Sequence, residues 1–311
     1  MPLLKCLCEV ELRNCAITPW RFGLSNAFSP AERIGAHHVH PETYGANTHK
    51  LTEVVPCYNE AQRLQSKHFL NFIDTSVSTR LLLVNDGSTD GSLAKLTALA
   101  EARPGHIEVL DLARDGGRAE AVRAGLGRAL EDGADLVAYW DADLATPLYL
   151  VEDFMRIALR QPDIEVIFGS RRKMLGHRVE RTIPRRIVSR ICAGLARLAI
   201  GLPIADTQCG AKMFRATPAL TQAISTPFTA GWVFDVELFA RIASCEKAKK
   251  ANLRFYEQPR AEWSEVPGSK VSASAIFSSG IRLLRLIAEL RLDARAHLDA
   301  QGAQGAIRKA I

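Results

Sequence analysis

Two carboxylates, Asp141 and Asp143, stand one residue apart at the end of a predicted buried strand. The run from Leu136 to Trp140 (LVAYW) before them is apolar enough to lie at the centre of a sheet. Alternation along the strand end turns both carboxylates to one side, where two like charges repel unless a cation lies beside them. Carboxylate oxygens suit Mg²⁺ or Mn²⁺, which commonly complete their coordination with substrate phosphates. The pattern therefore favours a metal and diphosphate site.

A second group of polar residues follows an earlier predicted strand. The segment NDGSTDGS (85–92) puts Asp86 at the strand end, Gly87 in a tight turn and Asp90 at the start of a helix. Asp86 is thereby suited to hydrogen-bond a base or a ribose, and Asp90 to cap the helix. A plain turn has a similar sequence, so this segment alone does not decide between a site and a turn.

A parallel sheet would bring these two groups together, and the pattern of the chain from Thr52 onward predicts one. Short β-rich runs alternate with helix-like runs, as is typical of βαβ units, in which ligands bind at the carboxyl ends of the strands. The predicted strands are 53–58, 81–84, 107–112, 136–140, 165–170 and 253–258, and the predicted helices are 59–70, 90–102, 118–132, 147–161 and 234–243. The turn after the first strand holds PCYNE (56–60) in place of G-x-G-x-x-G, which argues against a dinucleotide fold.

Two of the predicted helices carry signals for how they pack and begin. Helix 118–132 has one apolar stripe suited to packing on the sheet. That stripe consists of Val122, Leu126, Ala129 and Leu130. Helix 147–161 begins with Pro147, and Thr146 before it is available as its cap.

The composition is that of a soluble globular protein, since 47% of the 311 residues are hydrophobic and 24% are charged. The formal net charge of +6 fits phosphate-bearing partners or an anionic membrane surface. The odd count of seven cysteines, and the lack of a secretory signal pattern, favour a reducing compartment. Residues 1–48 show no sustained period and are predicted to form an irregular N-terminal extension.

Positive charge is concentrated in residues 171–197, which contain nine Lys or Arg residues and a single acid, Glu180. No uncharged apolar window of about 18 residues occurs, so a membrane-spanning helix is not predicted. The final helix, predicted from about Ser272 to Ala300, is amphipathic, and both docking on its own domain and lying on a membrane surface stay open. One face of that helix holds Phe277, Ile281, Leu284 and Ala288.

Eight segments, ordered along residues 52–280, resemble the family 2 glycosyltransferases of GT-A fold, and more narrowly the dolichyl-phosphate or polyprenyl-phosphate glucosyltransferases. The segments are VVPCYNE (54–60), LLLVNDGSTDGS (81–92), RDGGRAEAVRAGL (114–126), DADLATP (141–147), FGSRR (168–172), DTQCGAKMFR (206–215), GWVFDVEL (231–238) and WSEVPGSKV (263–271). The resemblance implies an α/β fold with a Rossmann-like, mostly parallel central sheet flanked by helices. It further implies a GT-A domain over 49–260, with a nucleotide-sugar half (49–150) and an acceptor half (151–260), followed by a loop and amphipathic helix over 261–311.

The same resemblance assigns roles in the nucleotide-sugar site. Asp141 and Asp143 would lie at the diphosphate and at Mg²⁺ or Mn²⁺, and Arg118 stands where the family usually has Lys. Asp115 replaces the usual Asn, and Ala145 replaces a Gln that many members have after the carboxylate pair. The residues that would hold the uracil and ribose are Pro56, Tyr58, Glu60 and Asp86.

The activity that the resemblance implies is inverting transfer of glucose from UDP-glucose to a polyprenyl (dolichyl) phosphate. A phosphate acceptor is already an oxyanion near neutral pH and needs a cationic seat more than a base. The residues expected to provide that seat are Ser170, Arg171, Arg172 and Lys270. A hydroxyl acceptor would instead need a general base, for which Asp235 and Glu237 are available.

Alternatives remain at this point. Mannose transfer from GDP-mannose uses a similar scaffold, and a hydroxyl acceptor would keep the family but change the chemistry. Nucleic-acid binding through 171–197 is disfavoured because that run has no aromatic residue for base stacking. The departures at Asp115, Arg118 and Ala145 also leave room for an inactive family member. The basic run and the final helix lead us to expect a peripheral location on the cytoplasmic face of a membrane.

Overall fold

A central sheet of seven strands organises the protein. The structure is a computed structural model that describes residues 49–76, 78–171, 178–179, 193–245, 254–259, 262–263 and 280–288. Its strands are β1 (Leu51–Cys57), β2 (Thr79–Asp86), β3 (Ile107–Leu112), β4 (Leu136–Trp140), β5 (Val166–Ser170), β6 (Arg178–Val179), β7 (Ala211–Arg215), β8 (Phe255–Pro259) and β9 (Glu262–Trp263). The central sheet has the order β3-β2-β1-β4-β7-β5-β8, and β6 pairs with β9 in a separate small sheet.

The central sheet is largely parallel, as the alternating pattern predicted. Strand β1 lies between β2 and β4 and is parallel to both. Strand β7 is antiparallel to its neighbours β4 and β5, and β8 is parallel to β5. The sequence analysis did not predict β7. Because β1, β2 and β4 are parallel neighbours, their carboxyl ends meet at one edge of the sheet.

Helices cover the two faces of this sheet. They are α1 (Ser66–Thr75), α2 (Ser92–Ala102), α3 (Arg118–Glu131), α4 (Leu150–Arg160), α5 (residues 193–200), α6 (Pro218–Ile224), α7 (Phe234–Ser244) and α8 (residues 280–288). Side chains of α1, α2 and α4 fill one core layer, and those of α3, α5, α6, α7 and α8 fill the other. The sheet is therefore buried on both faces, as expected of parallel strands.

Helix α3 packs closely on the middle of the sheet and thereby fixes its own N-terminus at the strand ends. Of the predicted apolar stripe, Val122, Leu126 and Ala129 are fully buried and Leu130 packs against the same core. A Cβ built on Gly125 would lie 2.3 Å from Val54 Cγ1, so this glycine allows the close approach of α3 to β1.

The start of α1 differs from the prediction. Residues 61–63 form a turn and the helix begins at Ser66, so the predicted helix from residue 59 is wrong at this end. Asn59 has a φ of 50°, outside the helical region, and the backbone N–H of Glu60 donates to Ser92 Oγ over 2.7 Å. The hydrogen bond from Glu60 to Ser92, the first residue of α2, holds this part of the chain in a turn.

Neither residue predicted as a cap is the N-cap of its helix. The N-cap of α2 is Gly91 and not Asp90, although Asp90 Oδ1 accepts from the backbone N–H of Ser92, the first residue of α2, over 2.9 Å. Thr146 does not cap α4, because α4 begins at Leu150 and Thr146 is buried. The Thr146 carbonyl instead accepts from Trp140 Nε1 over 2.8 Å.

Helix α8 docks on its own domain, with Leu283, Leu286 and Ile287 buried in the core layer of α3. The predicted apolar face is not the face that packs, because Ile281 and Leu284 are 42% and 55% exposed. Within the part of the chain that is described, no helix is long and apolar enough to cross a membrane. Several predicted features lie outside the described residues: the extension 1–48, Arg172, Lys270, Phe277 and most of the basic run 171–197.

Candidate active site

Hydrogen bonds join the loops that follow β1 and β2. Asn59 N donates to Ser88 Oγ over 3.1 Å, and Asn59 Oδ1 accepts from Thr89 N over 2.9 Å. The bond from Glu60 N to Ser92 Oγ adds a third link. The two loops therefore form one edge of the site, as the parallel sheet predicted.

Asp86, at the end of β2, is buried next to the loop that precedes α3. Its Oδ1 accepts from Gly116 N over 2.9 Å. Burial raises the pKa of Asp86, and this backbone hydrogen bond opposes the shift. The negative charge of Asp115 raises the pKa of Tyr58, whose ring is part-exposed. Tyr58, Asp86 and Asp115 thus lie close together, with the Tyr58 ring and the Asp115 carboxylate exposed to a ligand and Asp86 buried behind them.

Pro56 and Glu60, the other two residues expected to bind the uracil and ribose, make contacts within the protein. Pro56 lies within β1, in register with Val84 of β2. Glu60 is buried, and its Oε2 accepts from Arg63 Nε over 2.9 Å. Their predicted contacts with uracil or ribose stay predictions.

The carboxylate pair Asp141 and Asp143 follows β4 and is held against the loop before β7. Asp141 N donates to the Gly210 carbonyl over 3.0 Å, and a Cβ built on Gly210 would lie 1.8 Å from Asp141 Oδ2. Only a glycine leaves room for this carboxylate. Asp143 Oδ1 accepts from Ala145 N over 3.0 Å, in a turn where Leu144 has a φ of 53°.

Arg118, the first residue of α3, lies against Asp141. Its Nη2 is 2.6 Å from Asp141 Oδ1, and the two side chains are 22% and 31% exposed. Burial lowers the pKa of Arg118, but the nearby carboxylates, Asp141 first, raise it by more. For Asp141, burial raises the pKa and Arg118 opposes the shift. A guanidinium therefore supplies the positive charge that the sequence analysis expected beside this carboxylate.

Aromatic rings surround the Arg118 guanidinium. Its Cζ is 5.8 Å from the ring centres of Tyr139 and Trp232 and 5.5 Å from that of Phe234, distances at which a cation and a ring attract. Trp232 is 46% exposed and forms the outer wall of this group. The rings restrict where the guanidinium can move.

Beneath Arg118 lies a fully buried ion pair between Lys212 of β7 and Asp235 of α7. Lys212 Nζ is 3.0 Å from Asp235 Oδ1 and donates to the Cys209 carbonyl over 2.5 Å. The Tyr139 hydroxyl also donates to Asp235 Oδ1. Sequence analysis missed Lys212, although a lysine inside a short apolar strand is a signal that it needs a buried partner.

Asp235 and Glu237, the two carboxylates expected to act as a base, both lie in the core. Glu237 is 2% exposed; its Oε2 accepts from Thr229 N and Ala230 N over 2.8 and 2.7 Å, and Arg241 Nη2 lies 2.5 Å from its Oε1. Glu237 thus fixes the turn that precedes Trp232. In this conformation neither carboxylate faces solvent, where a hydroxyl acceptor would arrive.

Ser170 and Arg171, which were expected to bind the acceptor phosphate, make their contacts within the protein instead. Ser170 is 1% exposed at the end of β5. Arg171 Nε and Nη2 donate to the two oxygens of Asp206 over 2.7 and 2.8 Å, and Glu257 accepts from Asp206 N over 2.9 Å. Sequence analysis assigned no role to Asp206. This ion pair ties β5 to the loop that carries Gly210 beneath Asp141.

The site fits a divalent ion bound together with a diphosphate. Asp141 and Asp143 offer hard oxygen ligands, but the described residues contain no group of three or more His, Cys, Asp and Glu suited to hold an ion by themselves. Mg²⁺ commonly takes its remaining ligands from water and substrate phosphates. Arg118 Nε is buried without a hydrogen-bond partner in the described part of the chain, and a diphosphate oxygen would satisfy it.

Comparison with known proteins decides the family. Residues 53–221, more than half of the chain, match the sequence model described as Glycosyl transferase family 2. The chain belongs to glycosyltransferase family 2. The dolichyl-phosphate beta-glucosyltransferase of Drosophila melanogaster is 30% identical over 240 residues, which cover 72% of this chain and 69% of that protein. The enzyme of that name from Dictyostelium discoideum is 29% identical over 255 residues, covering 78% and 73%.

Solved structures support the fold of this glycosyltransferase. Glucosyl-3-phosphoglycerate synthase from Mycobacterium tuberculosis, in complex with UDP, superposes with a TM-score of 0.56 at 17% identity, over 77% of this chain and 80% of that one. The same synthase has been solved with Mn²⁺, UDP and glucosyl-3-phosphoglycerate. The fold of family 2 and the sheet described above agree, and the predicted GT-A fold is confirmed.

Proposed function

We propose that this glycosyltransferase moves glucose from UDP-glucose to a polyprenyl phosphate, with inversion, at a membrane surface and with Mg²⁺ or Mn²⁺. The bond from glucose C1 to the UDP oxygen breaks, and a bond from C1 to an acceptor phosphate oxygen forms. The products are UDP and a polyprenyl-phosphate glucose.

The observation that carries the acceptor class is the burial of Asp235 and Glu237. A hydroxyl nucleophile must lose a proton during attack, so it needs a base within reach. Asp235 is held by Lys212 inside the core, and Glu237 is held by a backbone turn and Arg241. A phosphate monoester has a second pKa of about 6 and arrives deprotonated, so it needs no such base. The names of the relatives, which act on dolichyl phosphate, support the same choice.

The donor side of the proposal rests on the edge formed by β1, β2 and β4. The base and ribose of the donor bind between Tyr58 and Asp86, and Asp141 and Asp143 hold the ion. When bound, the ion supplies positive charge to the departing diphosphate. Arg118 adds a fixed guanidinium at the same place, which stabilises the leaving group without reorganisation.

Attachment to the membrane surface is part of the proposal. The exposed apolar side chains of α8 and the basic run 171–197 support it, because both features favour an anionic bilayer surface. The proposed location is the cytoplasmic face. Flotation with anionic vesicles at low salt checks the attachment, and protein that stays at the bottom of the gradient speaks against it.

The test of function is transfer of label from radioactive UDP-glucose to polyprenyl phosphate, measured in the organic phase with and without EDTA. We expect transfer that EDTA abolishes and that Asp141→Asn reduces at least about a hundredfold. Asp153→Asn, at a surface ion pair with Arg156 on α4, is the matched control and keeps full activity. Transfer that survives EDTA would reject the metal role. Label from GDP-mannose alone, or transfer only to hydroxyl acceptors, would reject the substrate assignment.

A further inference from the structure

Arg282 of α8 lies beside the wall of the active site. A Cβ built on Gly231 would be 2.0 Å from Arg282 Nη1 and 3.1 Å from its Cζ, so the guanidinium fills the space that a side chain would take. Gly231 has a φ of +60° and precedes Trp232 directly. A glycine is therefore suited to this position for both its backbone conformation and the arginine beside it.

Trp232 connects Arg282 to the catalytic edge. Its ring centre is 5.8 Å from Arg118 Cζ, and Arg118 is in contact with Asp141. Glu237 holds the turn before Gly231 through the backbone N–H groups of Thr229 and Ala230, and Arg282 packs against that Gly231. Arg282 thus packs against the residue directly before Trp232, whose ring is next to the Arg118 guanidinium.

The charge of Arg282 is available to a ligand. No carboxylate of the described residues forms an ion pair with it, and its side chain is exposed. Arg171, the arginine expected to bind the acceptor, is instead paired through two nitrogens with Asp206. An exposed guanidinium that has no carboxylate partner among the described residues suits a phosphate, which it can bind through two parallel hydrogen bonds.

The surface next to Arg282 suits a prenyl chain. Ile281, Leu284 and Ala288 are spaced at i, i+3 and i+7 on the exposed face of α8, while the opposite face is buried in the core. Ile281 adjoins Arg282 in sequence. A lipid phosphate could place its anionic head at Arg282 and its apolar tail along the exposed side chains of α8.

We propose that Arg282, beside Gly231 and Trp232, is the seat of the acceptor phosphate, and that the exposed face of α8 receives the first part of its prenyl chain. The inference rests on the proposed function for the acceptor class and adds the site that selects it. Arg171 then acts as a positioning residue for the loop that carries Gly210.

The experiment compares two acceptors: geranyl phosphate in solution and polyprenyl phosphate in phosphatidylcholine vesicles. Arg282→Ala is expected to raise the KM of both acceptors about tenfold or more, and to change the KM of UDP-glucose less than about twofold. Arg282→Lys restores part of the loss. Arg103→Ala, at the exposed ion pair with Asp74 just after α2, is the control and leaves the KM of geranyl phosphate unchanged.

Two results would overturn the inference. If Arg282→Ala leaves both acceptor KM values unchanged, the residue does not bind the phosphate. If it raises only the KM of the vesicle-bound acceptor, Arg282 contacts the membrane and not the reacting phosphate. Calorimetric titration with geranyl phosphate separates this inference from the proposed function. Binding that Arg282→Ala weakens, without any glucose transfer, would reject the function and keep the site.

Discussion

Arg118 Nη2 and Asp141 Oδ1 lie 2.6 Å apart, so the guanidinium would compete with the proposed divalent ion for the same carboxylate. A diphosphate changes this competition because it offers Arg118 a new anionic partner and offers the ion new oxygen ligands. Ion and UDP should therefore bind with positive coupling, each raising the affinity for the other by the same factor.

Arg118→Met tests this coupling. In the wild type we expect UDP to tighten Mn²⁺ binding about fivefold or more, measured by electron paramagnetic resonance of free Mn²⁺. In Arg118→Met, Mn²⁺ binds more tightly without UDP, because Asp141 has lost its internal partner, and the effect of UDP shrinks. Arg118→Lys keeps the coupling. If Arg118→Met binds Mn²⁺ no better than the wild type in the absence of UDP, the two cations do not compete.

The ends of the parallel strands were the part of the site that the sequence could predict. A buried strand that is followed by Asp141 and Asp143, and another that ends in Asp86, bring their carboxylates to one edge when both belong to the same parallel sheet, here with β1 between them. Those predictions need only the period of the strands and the direction of the sheet. The stripe on α3 followed from the same kind of local regularity.

The choice of partner for each charge could not be predicted in this way. Arg171 pairs with Asp206, and Lys212 pairs with Asp235, across distances in sequence that no local pattern encodes. Strand β7 was missed for the same reason: Lys212 interrupts an otherwise apolar strand and becomes compatible with the core only through its ion pair with Asp235. The identity of a side chain at the site was thus predictable, whereas its partner was not.

The Lys212–Asp235 pair should be far more important for stability than an exposed pair. Lys212→Met leaves Asp235 buried without its cation and is expected to cost about 3–5 kcal/mol in the free energy of unfolding. Arg80→Met, at the exposed pair with Glu108, is the control and should cost about 1 kcal/mol or less. Urea unfolding of both variants measures the difference. Equal losses of unfolding free energy in the two variants would show that the buried pair contributes no more to stability than the exposed one.

Two glycines of α3 give a matched test of how closely this helix packs on β1. Gly125→Ala brings a Cβ to 2.3 Å from Val54 Cγ1 and should destabilise the protein by about 1–3 kcal/mol. Gly127→Ala, on the same helix, meets no atom within 4 Å and should stabilise by up to about 1 kcal/mol through helix propensity. Thermal unfolding compares the two. A stabilised Gly125→Ala variant would mean that α3 can move away from the sheet without cost.

Because Glu53 is buried, we expect the stability of the protein to depend on pH. Glu53 lies in β1 between Leu81 and Ala138 of the neighbouring strands, is fully buried, and has no hydrogen-bond partner for either carboxyl oxygen among the described residues. Burial raises the pKa of Glu53 well above its ordinary value of 4.5. Because the folded-state pKa is the higher one, the unfolded chain loses its proton first as pH rises. The contribution of this group to stability is therefore full below about pH 4.5 and is lost as pH rises through the folded-state value.

Glu53→Gln removes this titration while keeping the shape and neutrality of the buried group. The free energy of unfolding of Glu53→Gln, minus that of the wild type, should increase steadily from pH 5 to pH 8, because only the wild type must keep a proton that the solvent increasingly withdraws. Urea unfolding at several pH values measures this difference. Arg80→Met at the exposed pair shows whether pH acts on the protein in general. A constant difference across this range would show that Glu53 is charged in the folded protein and has a partner that compensates its burial.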